Sequence, residues 1–394
     1  MLALLPAGAW AGGMRSASIA STGDGRVLVA NTDSDSVSIV GFVDGAPSVL
    51  EVPVGRQPVS LSVHGTLAWI ANRGEGTVAA LSLDSASVVG CLAVGPRPTG
   101  ILASASVVYV SMDGSSEVLA LSSATGSVLA RMPVRPRPRG MAMAPDGSEL
   151  YVTHFTSGWL SIIDATAWTT LAEVSANGQA NLAASIVLDS AGTRAFLPQT
   201  LTNHTSRGLA FDATLFPVVS LVDLPSRTHL RSQRIALDLV DRPVGQPMDA
   251  VITPAGKLYV ANAASNDISV VDASSGQGLS HIEVGHGPRG LALSADGSRI
   301  FVDQSLAGSI AILDTTADIE VAQVQVTTNP LPARLLNGKR LFNSSDDPRM
   351  ARDQWIACSS CHFDGEADGR TWFFPDGPRN TPSLRGASWT LPSH

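Results

Sequence analysis

Short apolar runs recur along most of this chain, each closed by a turn-forming residue. The clearest is Val27-Leu28-Val29-Ala30-Asn31. It returns from Ala68 to Asn72, Val107 to Ser111, Leu150 to His154, Ala195 to Gln199, Leu258 to Asn262 and Ile300 to Gln304. Aligned on Val29, Ile70, Val110, Val152, Leu197, Val260 and Val302, the runs are spaced by 41, 40, 42, 45, 63 and 42 residues. Six intervals make seven units of about 42 residues, and the 63-residue interval is one unit carrying an insertion.

Each unit has the same internal order. A Gly/Pro turn, such as Gly95-Pro96-Arg97-Pro98, leads into a short apolar strand. A tight turn follows, often Asp-Gly as at Asp24-Gly25, Asp146-Gly147 and Asp296-Gly297, which is the strongest short signal for a hairpin. The recurrent run comes next, then a polar turn, a third alternating strand and a fourth that returns. Four short antiparallel strands repeated seven times predict an all-β seven-bladed propeller over residues 16–327. The 3.6-residue period of a helical array is absent. Leu258-Tyr259-Val260-Ala261-Asn262, followed by Asn266 to Asp272, resembles the signature of the YVTN family of seven-bladed propellers. That resemblance implies the fold and leaves function open, since propellers serve as adhesins, enzymes and scaffolds.

The insertion, about residues 200–246, carries Leu201 to His204 and Phe211 to Ser220. Insertions in repeats map to one face, often a binding face; a solvated loop with its own apolar patch is the alternative. Among the histidines, only His154 occupies the position held by Asn31, Asn72 and Asn262, as a metal ligand in the channel or as a hydrogen-bonded turn residue.

Composition narrows the picture. Of 394 residues, 44% are hydrophobic and 15% charged, enough for a large core. The net charge of −8 argues against coating nucleic acid, and no apolar run has the length of a membrane helix. Residues 1–15 begin with an apolar stretch in which Ala9-Trp10-Ala11 fits a small-x-small cleavage site, so they are expected to be an export-signal remnant.

Composition changes after Thr327. Residues 328–333 read as a proline-rich linker, and residues 334–394 as a small, mainly α cytochrome c-like domain, expected to be truncated. A short helix is predicted over Ala333 to Phe342. This stretch holds 7 of the 20 aromatic residues, as expected of a segment wrapped around something large and apolar. Cys358-Ser359-Ser360-Cys361-His362 is a C-x-x-C-H run, the pattern of covalent c-type haem attachment. A zinc site wants a second ligand pair, and the one other cysteine is Cys91, far away in the second unit.

Gly338 to Phe342, then Trp355 to His362, then Gly377 to Pro382 together resemble the first haem domain of the di-haem cytochrome c peroxidase and MauG superfamily. The resemblance implies thioethers at Cys358 and Cys361 and His362 as the proximal iron ligand. It also implies an oxidoreductase or electron-transfer role in the periplasm or at the cell surface. Asn380 matches an asparagine that helps hold calcium in that family, and Arg379 is a candidate contact for a haem propionate. Met350 and His394 are candidate distal ligands; where the family can carry a distal histidine, this chain has Trp372.

With one C-x-x-C-H run, the expected cofactor is one covalent haem c, and peroxide turnover by this chain is expected to be weak. The expected partner is a redox protein or a second haem domain. The other function class is a surface or periplasmic binding or adhesion propeller with an incomplete haem segment. Strand order adds a placement. Arg56, Arg97, Arg137, Arg139, Arg289 and His286 fall at or near blade-to-blade turns, so they should ring one channel mouth. The chain after the linker should begin over that mouth, with haem propionates or an acidic partner meeting the arginines.

Overall fold

The computed structural model describes residues 14–386 except 177, 212, 240 and 241. Seven antiparallel sheets follow one another along the chain, over residues 19–53, 58–93, 98–133, 138–175, 180–236, 247–283 and 288–325. Six are four-stranded meanders with strands in sequence order. In blade five, strands 180–181 and 187–188 both pair with 194–202, and strands 228–229 and 235–236 both pair with 215–223. Both the first and the outer strand of this blade are thus split, the outer one within the insertion.

The recurrent run is the second strand of each blade, and Val27–Asn31, Leu67–Asn72 and Lys257–Asn262 are almost wholly buried. They are apolar on both faces because each blade is covered by two neighbours. The outermost strands, such as Ala46–Pro53 and Ser87–Ala93, face water on most positions and alternate less strictly. Seven apolar clusters hold the ring, one between each pair of adjacent blades. The one joining blades seven and one packs Ile19, Val27 and Val40 against Phe301, Ile310 and Val324. Ser38 Oγ adds a hydrogen bond to the Val326 carbonyl at 2.7 Å, so the ring closes by side-chain packing and polar clasps, each blade being made from one stretch of chain.

At the blade-to-blade turns, Gln57, Arg97, Arg137 and Gln246 adopt left-handed φ values of 53°, 58°, 59° and 56°, each directly before a proline. Gly287, φ 68°, fills this position without a side-chain penalty.

The chain enters through the channel. Arg15 bridges Ala142 of blade four, Ala17 bridges Leu61 of blade two, and the Ser16 amide donates to the Met141 carbonyl. Arg15 extends to Asp249 of blade six, and Ser18 donates to Asp303 of blade seven at 2.5 Å. Residues 14–18 thus form a plug across the axis. The Ala9-Trp10-Ala11 site lies outside the described residues.

After blade seven the expectation of a mainly α cytochrome c-like domain is overturned. The described segment has one α-helix, Ala333–Asn343, two short 3-10 turns at Cys358–Ser360 and Phe363–Gly365, and a ribbon of Thr371–Phe374 with Gly377–Asn380. The reason is local. Gly365, Gly369 and Gly377 sit at φ 74°, 73° and 121°, which an α-helix does not accommodate. The aromatics that suggested a separate core also do not gather into one. Phe363 packs against Phe155, Leu182 and Met248 of the propeller, and the indole of Trp372 is tied to Asp368 and Thr381 at 2.9 and 3.1 Å.

Candidate functional site

The helix Ala333–Asn343 begins over the mouth formed by the blade-to-blade turns. Lys339 pairs with Asp33 of blade one at 2.6 Å, and Arg340 Nε donates to the Leu306 carbonyl at 3.1 Å. From there the segment is bonded to blade six, where the Ser345 amide meets the Ala264 carbonyl at 2.8 Å and Asn266 donates to Asp346. The turn Cys358–Ser360 then lies against Gln246, whose Nε2 donates to Ser359 Oγ at 2.8 Å and Ser360 Oγ at 3.3 Å. Farther on, Arg370 donates to the carbonyls of Gly178, Thr156 and Ala180, and the Phe373 amide donates to the His204 carbonyl. The blade-five insertion supplies Phe211, whose ring centroid lies 6.3 Å from that of Trp355. It is therefore a wall against which the segment packs, a role its sequence alone left undecided.

At the centre, Phe363 packs against Phe155 with centroids 4.9 Å apart and the rings tilted by 58°, and the Arg139 guanidinium lies 3.7 Å from the centroid of the Phe155 ring. Asp364 enters a ring of cations. It pairs with Arg73, with Arg139 at 3.4 Å and with Arg289 at 3.9 Å. Glu366 pairs with Arg97, with Arg137 at 2.9 Å and with Arg385 at 3.4 Å. Asp113 braces Arg97 and Arg137 from below at 3.0 and 2.7 Å. Burial alone would raise the Asp364 carboxyl, but Arg73, Arg139 and Arg289 together hold it well below the usual carboxylate range. Burial likewise opposes ionisation of Glu366, and Arg97, Arg137 and Arg385 outweigh it. Arg139 is pulled down to about 10 by burial and stays charged at neutral pH.

Of the residues expected at one mouth, Arg56 and His286 take no part in these ion pairs, whereas Arg97, Arg137, Arg139 and Arg289 converge there, from the blade-to-blade turns and first strands of blades three, four and seven. Their partners are carboxylates of the chain itself. Arg73 was not among those anticipated; its place after Asn72, in the second-to-third turn of blade two, was the available signal. Asp146 and Asp296, in the hairpins between first and second strands, accept hydrogen bonds from serines of their own turns.

The C-x-x-C-H residues fall beside this cluster. Cys358 is exposed and Cys361 half-buried, and neither is in a disulfide. Burial, with Asp368 and Cys358 nearby, pushes the Cys361 thiol up to about 12, so it is protonated at neutral pH. The His362 amide donates to the Cys358 carbonyl at 3.1 Å, closing one turn, and His362 Nδ1 is buried without a hydrogen-bond partner. The helix Ala333–Asn343 lies against this turn and leaves Leu335 and Leu341 exposed. Two unpaired thiols, an imidazole with an orphaned nitrogen and nearby uncovered apolar side chains are a donor set that fits covalent haem c.

The remaining sequence candidates scatter. Met350 is exposed, Arg379 pairs with Asp376 at 2.7 Å, and Asn380 accepts a hydrogen bond from Thr371 at 2.7 Å. Among the described residues no group of three His, Cys, Asp or Glu side chains is placed to hold a metal ion. His394 lies outside the described residues. His154 is fully buried, and its Nε2 shares a hydrogen bond of 2.8 Å with Ser161. Asn31 bonds Ser38 and Asn262 bonds Ser269 across the same offset, so His154 is a variant of a blade-internal clasp. No described helix is long and apolar enough to cross a membrane.

No family model matches the chain, and no curated protein matches it. Solved structures do. Kuenenia stuttgartiensis hydrazine synthase aligns with a TM-score of 0.70 at 17% identity, over 81% of this chain and 100% of the other. A chain of the mitotic checkpoint complex aligns with a TM-score of 0.57 at 15% identity, over 73% of this chain and 86% of that one. Dihydro-haem d1 dehydrogenase NirN in complex with DHE aligns at 16% identity over 78% of this chain and 66% of that one, with a TM-score of 0.49. At these identities the likeness is one of fold, and the chain is a seven-bladed β-propeller.

Proposed function

We propose that this chain is a haem c-binding electron-transfer protein whose propeller carries the attachment segment on its arginine-ringed mouth. The carrying observation is the C-x-x-C-H turn, fixed by Gln246 on one side and by Phe363, Asp364 and Glu366 on the other, with both thiols unpaired and His362 Nδ1 unpartnered. Cys358 and Cys361 would carry the thioethers, and His362 would be an axial ligand. Haem bound there would supply reversible one-electron chemistry, its potential set by axial ligation and burial. The protein's part is positional. The cluster around Asp364 anchors the residues directly after His362 to four blades, which fixes the approach of a partner to that edge. The reading carries a location outside the cytoplasm, where c-type attachment takes place in bacteria, and an electron-transfer partner protein. It gives no role to peroxide turnover.

Expression together with the c-type maturation apparatus, followed by haem staining of a denaturing gel, tests this. One covalent haem per chain is expected. The stain should be lost when Cys358 and Cys361 are both replaced by Ala, and His362→Ala should keep the stain while changing the visible spectrum. A wild-type chain without covalent haem would overturn the proposal and leave a binding propeller.

A further inference from the structure

The channel encloses a cavity of about 380 Å³ between the N-terminal plug and the C-terminal segment. Ser16, Ala17 and Ser18 line one side, and Phe363, Asp364 and Gly365 the other. Three polar atoms on its lining residues are buried without a hydrogen-bond partner: Arg139 Nε, Arg289 Nε and Ser185 Oγ. Arg139 and Ser185 are only 9% and 5% exposed. A buried group in this condition carries an uncompensated desolvation cost unless something in the cavity answers it. All three can donate, and apart from the Ser185 hydroxyl, which can also accept, no buried acceptor oxygen of the lining residues is left in the same condition.

The charges agree. Asp249 is taken by Arg15, and Asp33 by Lys339. Arg73, Arg139 and Arg289 share the single carboxylate of Asp364, so this side of the cavity keeps a positive excess. Asp303, buried and accepting from Ser18, is pushed up to about 7 by burial, so beside Arg289 it carries only part of a negative charge at neutral pH. The volume is at the small end of those used for small-molecule ligands. We propose that the cavity binds a compact oxyanion, a small carboxylate or a phosphate, held by Arg139, Arg289 and the Ser185 hydroxyl. Guanidinium groups suit both anions because their paired N–H groups match two oxygens at once. This inference does not rest on haem attachment.

The test is titration of the full chain with inorganic phosphate and, separately, with succinate, by calorimetry and thermal melting at ionic strength fixed with sodium chloride. A saturable one-site isotherm and a raised melting midpoint are expected with at least one of them, and the stronger responder identifies the anion. Arg289→Gln should weaken binding at least tenfold. Ser185→Ala removes a hydroxyl that has no protein partner, so the fold should persist and affinity should fall about tenfold. Heats and midpoints no different from the sodium chloride control, or affinity unchanged in Ser185→Ala, would overturn the assignment.

Discussion

Replacing Asp364 by Ala removes the carboxylate shared by Arg73, Arg139 and Arg289, all of them largely buried. Taking one partner from a buried charge cluster costs about 3–5 kcal/mol, because the remaining charges stay desolvated and repel one another. Here the lower end applies, since the guanidiniums border a polar cavity and Arg139 keeps its stack on Phe155. The cost falls on opening of the segment rather than on the propeller, whose seven apolar clusters do not include Asp364. About 3 kcal/mol is roughly a hundredfold in an opening equilibrium. Native-state hydrogen exchange reads this directly. The Gly365 and Leu384 amides, bonded to the His362 and Gly365 carbonyls at 2.9 and 2.8 Å, should lose about a hundredfold in protection. Strand Lys257–Asn262 should keep its own. In the wild type the cluster should also resist acid. A depressed carboxyl contributes stability above its unfolded pKa and loses it only as pH falls through the folded one, here well below the usual carboxylate range. Unchanged protection in Asp364→Ala, or an equal loss in the core strands, would refute the anchoring role.

Three further outcomes follow from buried titratable groups and from the attachment motif. His154 is held neutral, down at about 4, chiefly by burial, so the unfolded chain gains a proton first as pH falls and stability should drop by about 3 kcal/mol between pH 6.5 and 4. His154→Asn, which restores the residue found at Asn31 and Asn262, should abolish that drop with little change at pH 7.5 in thermal melts. Asp303 behaves oppositely. Its folded form keeps a proton that the unfolded chain releases, so stability should decline by about 4 kcal/mol as pH rises from 4 toward 7 and then level off. Asp303→Asn should remove this slope and raise the melting midpoint at pH 8. If haem is attached, Asp364→Ala should leave the haem stain intact while loosening the segment, because Asp364 is not one of the attachment residues; loss of the stain would mean that attachment itself needs the docked segment.

The propeller could be read from sequence because each blade repeats one local rule: an apolar run, a tight turn and an alternating return strand. Periodicity of that kind survives divergence, and even the 63-residue interval resolved into one blade with a split outer strand. The mouth arginines were also readable, since strand order decides which turns share a face. What failed was the inference from aromatic content to an independent helical domain. Phe363 is buried against Phe155 and the half-buried Trp355 lies beside Phe211 of the propeller, and sequence composition cannot say whether an aromatic packs on its own segment or on a neighbour. The plug of residues 14–18 was missed for a related reason. Arg15-Ser16-Ala17-Ser18 has no strand signal of its own and becomes extended by borrowing partners from blades two and four.

The repeat itself explains why a net-acidic chain has a cationic mouth. Arg97 and Arg137 occupy equivalent pre-proline positions of successive blades, and the ring turns such repetition in sequence into convergence in space. Arg73, Arg139 and Arg289 join them from neighbouring turns and first strands. A cluster of this kind repels itself unless anions are held near it, and burial makes the repulsion stronger. Asp113 answers two of the guanidiniums from within the propeller, while Asp364 and Glu366 answer five from outside it. The C-terminal segment therefore offsets much of the mouth's positive charge and leaves the excess on the cavity side. It also bears on the position of the C-x-x-C-H run: single residues, Phe363 and Gly365, separate His362 from Asp364 and Asp364 from Glu366, so with both carboxylates in the ring the motif lies at its edge. Inserting residues between His362 and Asp364 should uncouple the two, leaving the arginine cluster intact but freeing the motif from the blade-five and blade-six wall. Loss of exchange protection at Cys361 and His362, with protection kept at Leu384, whose amide donates to the Gly365 carbonyl, is the expected signature in such a variant.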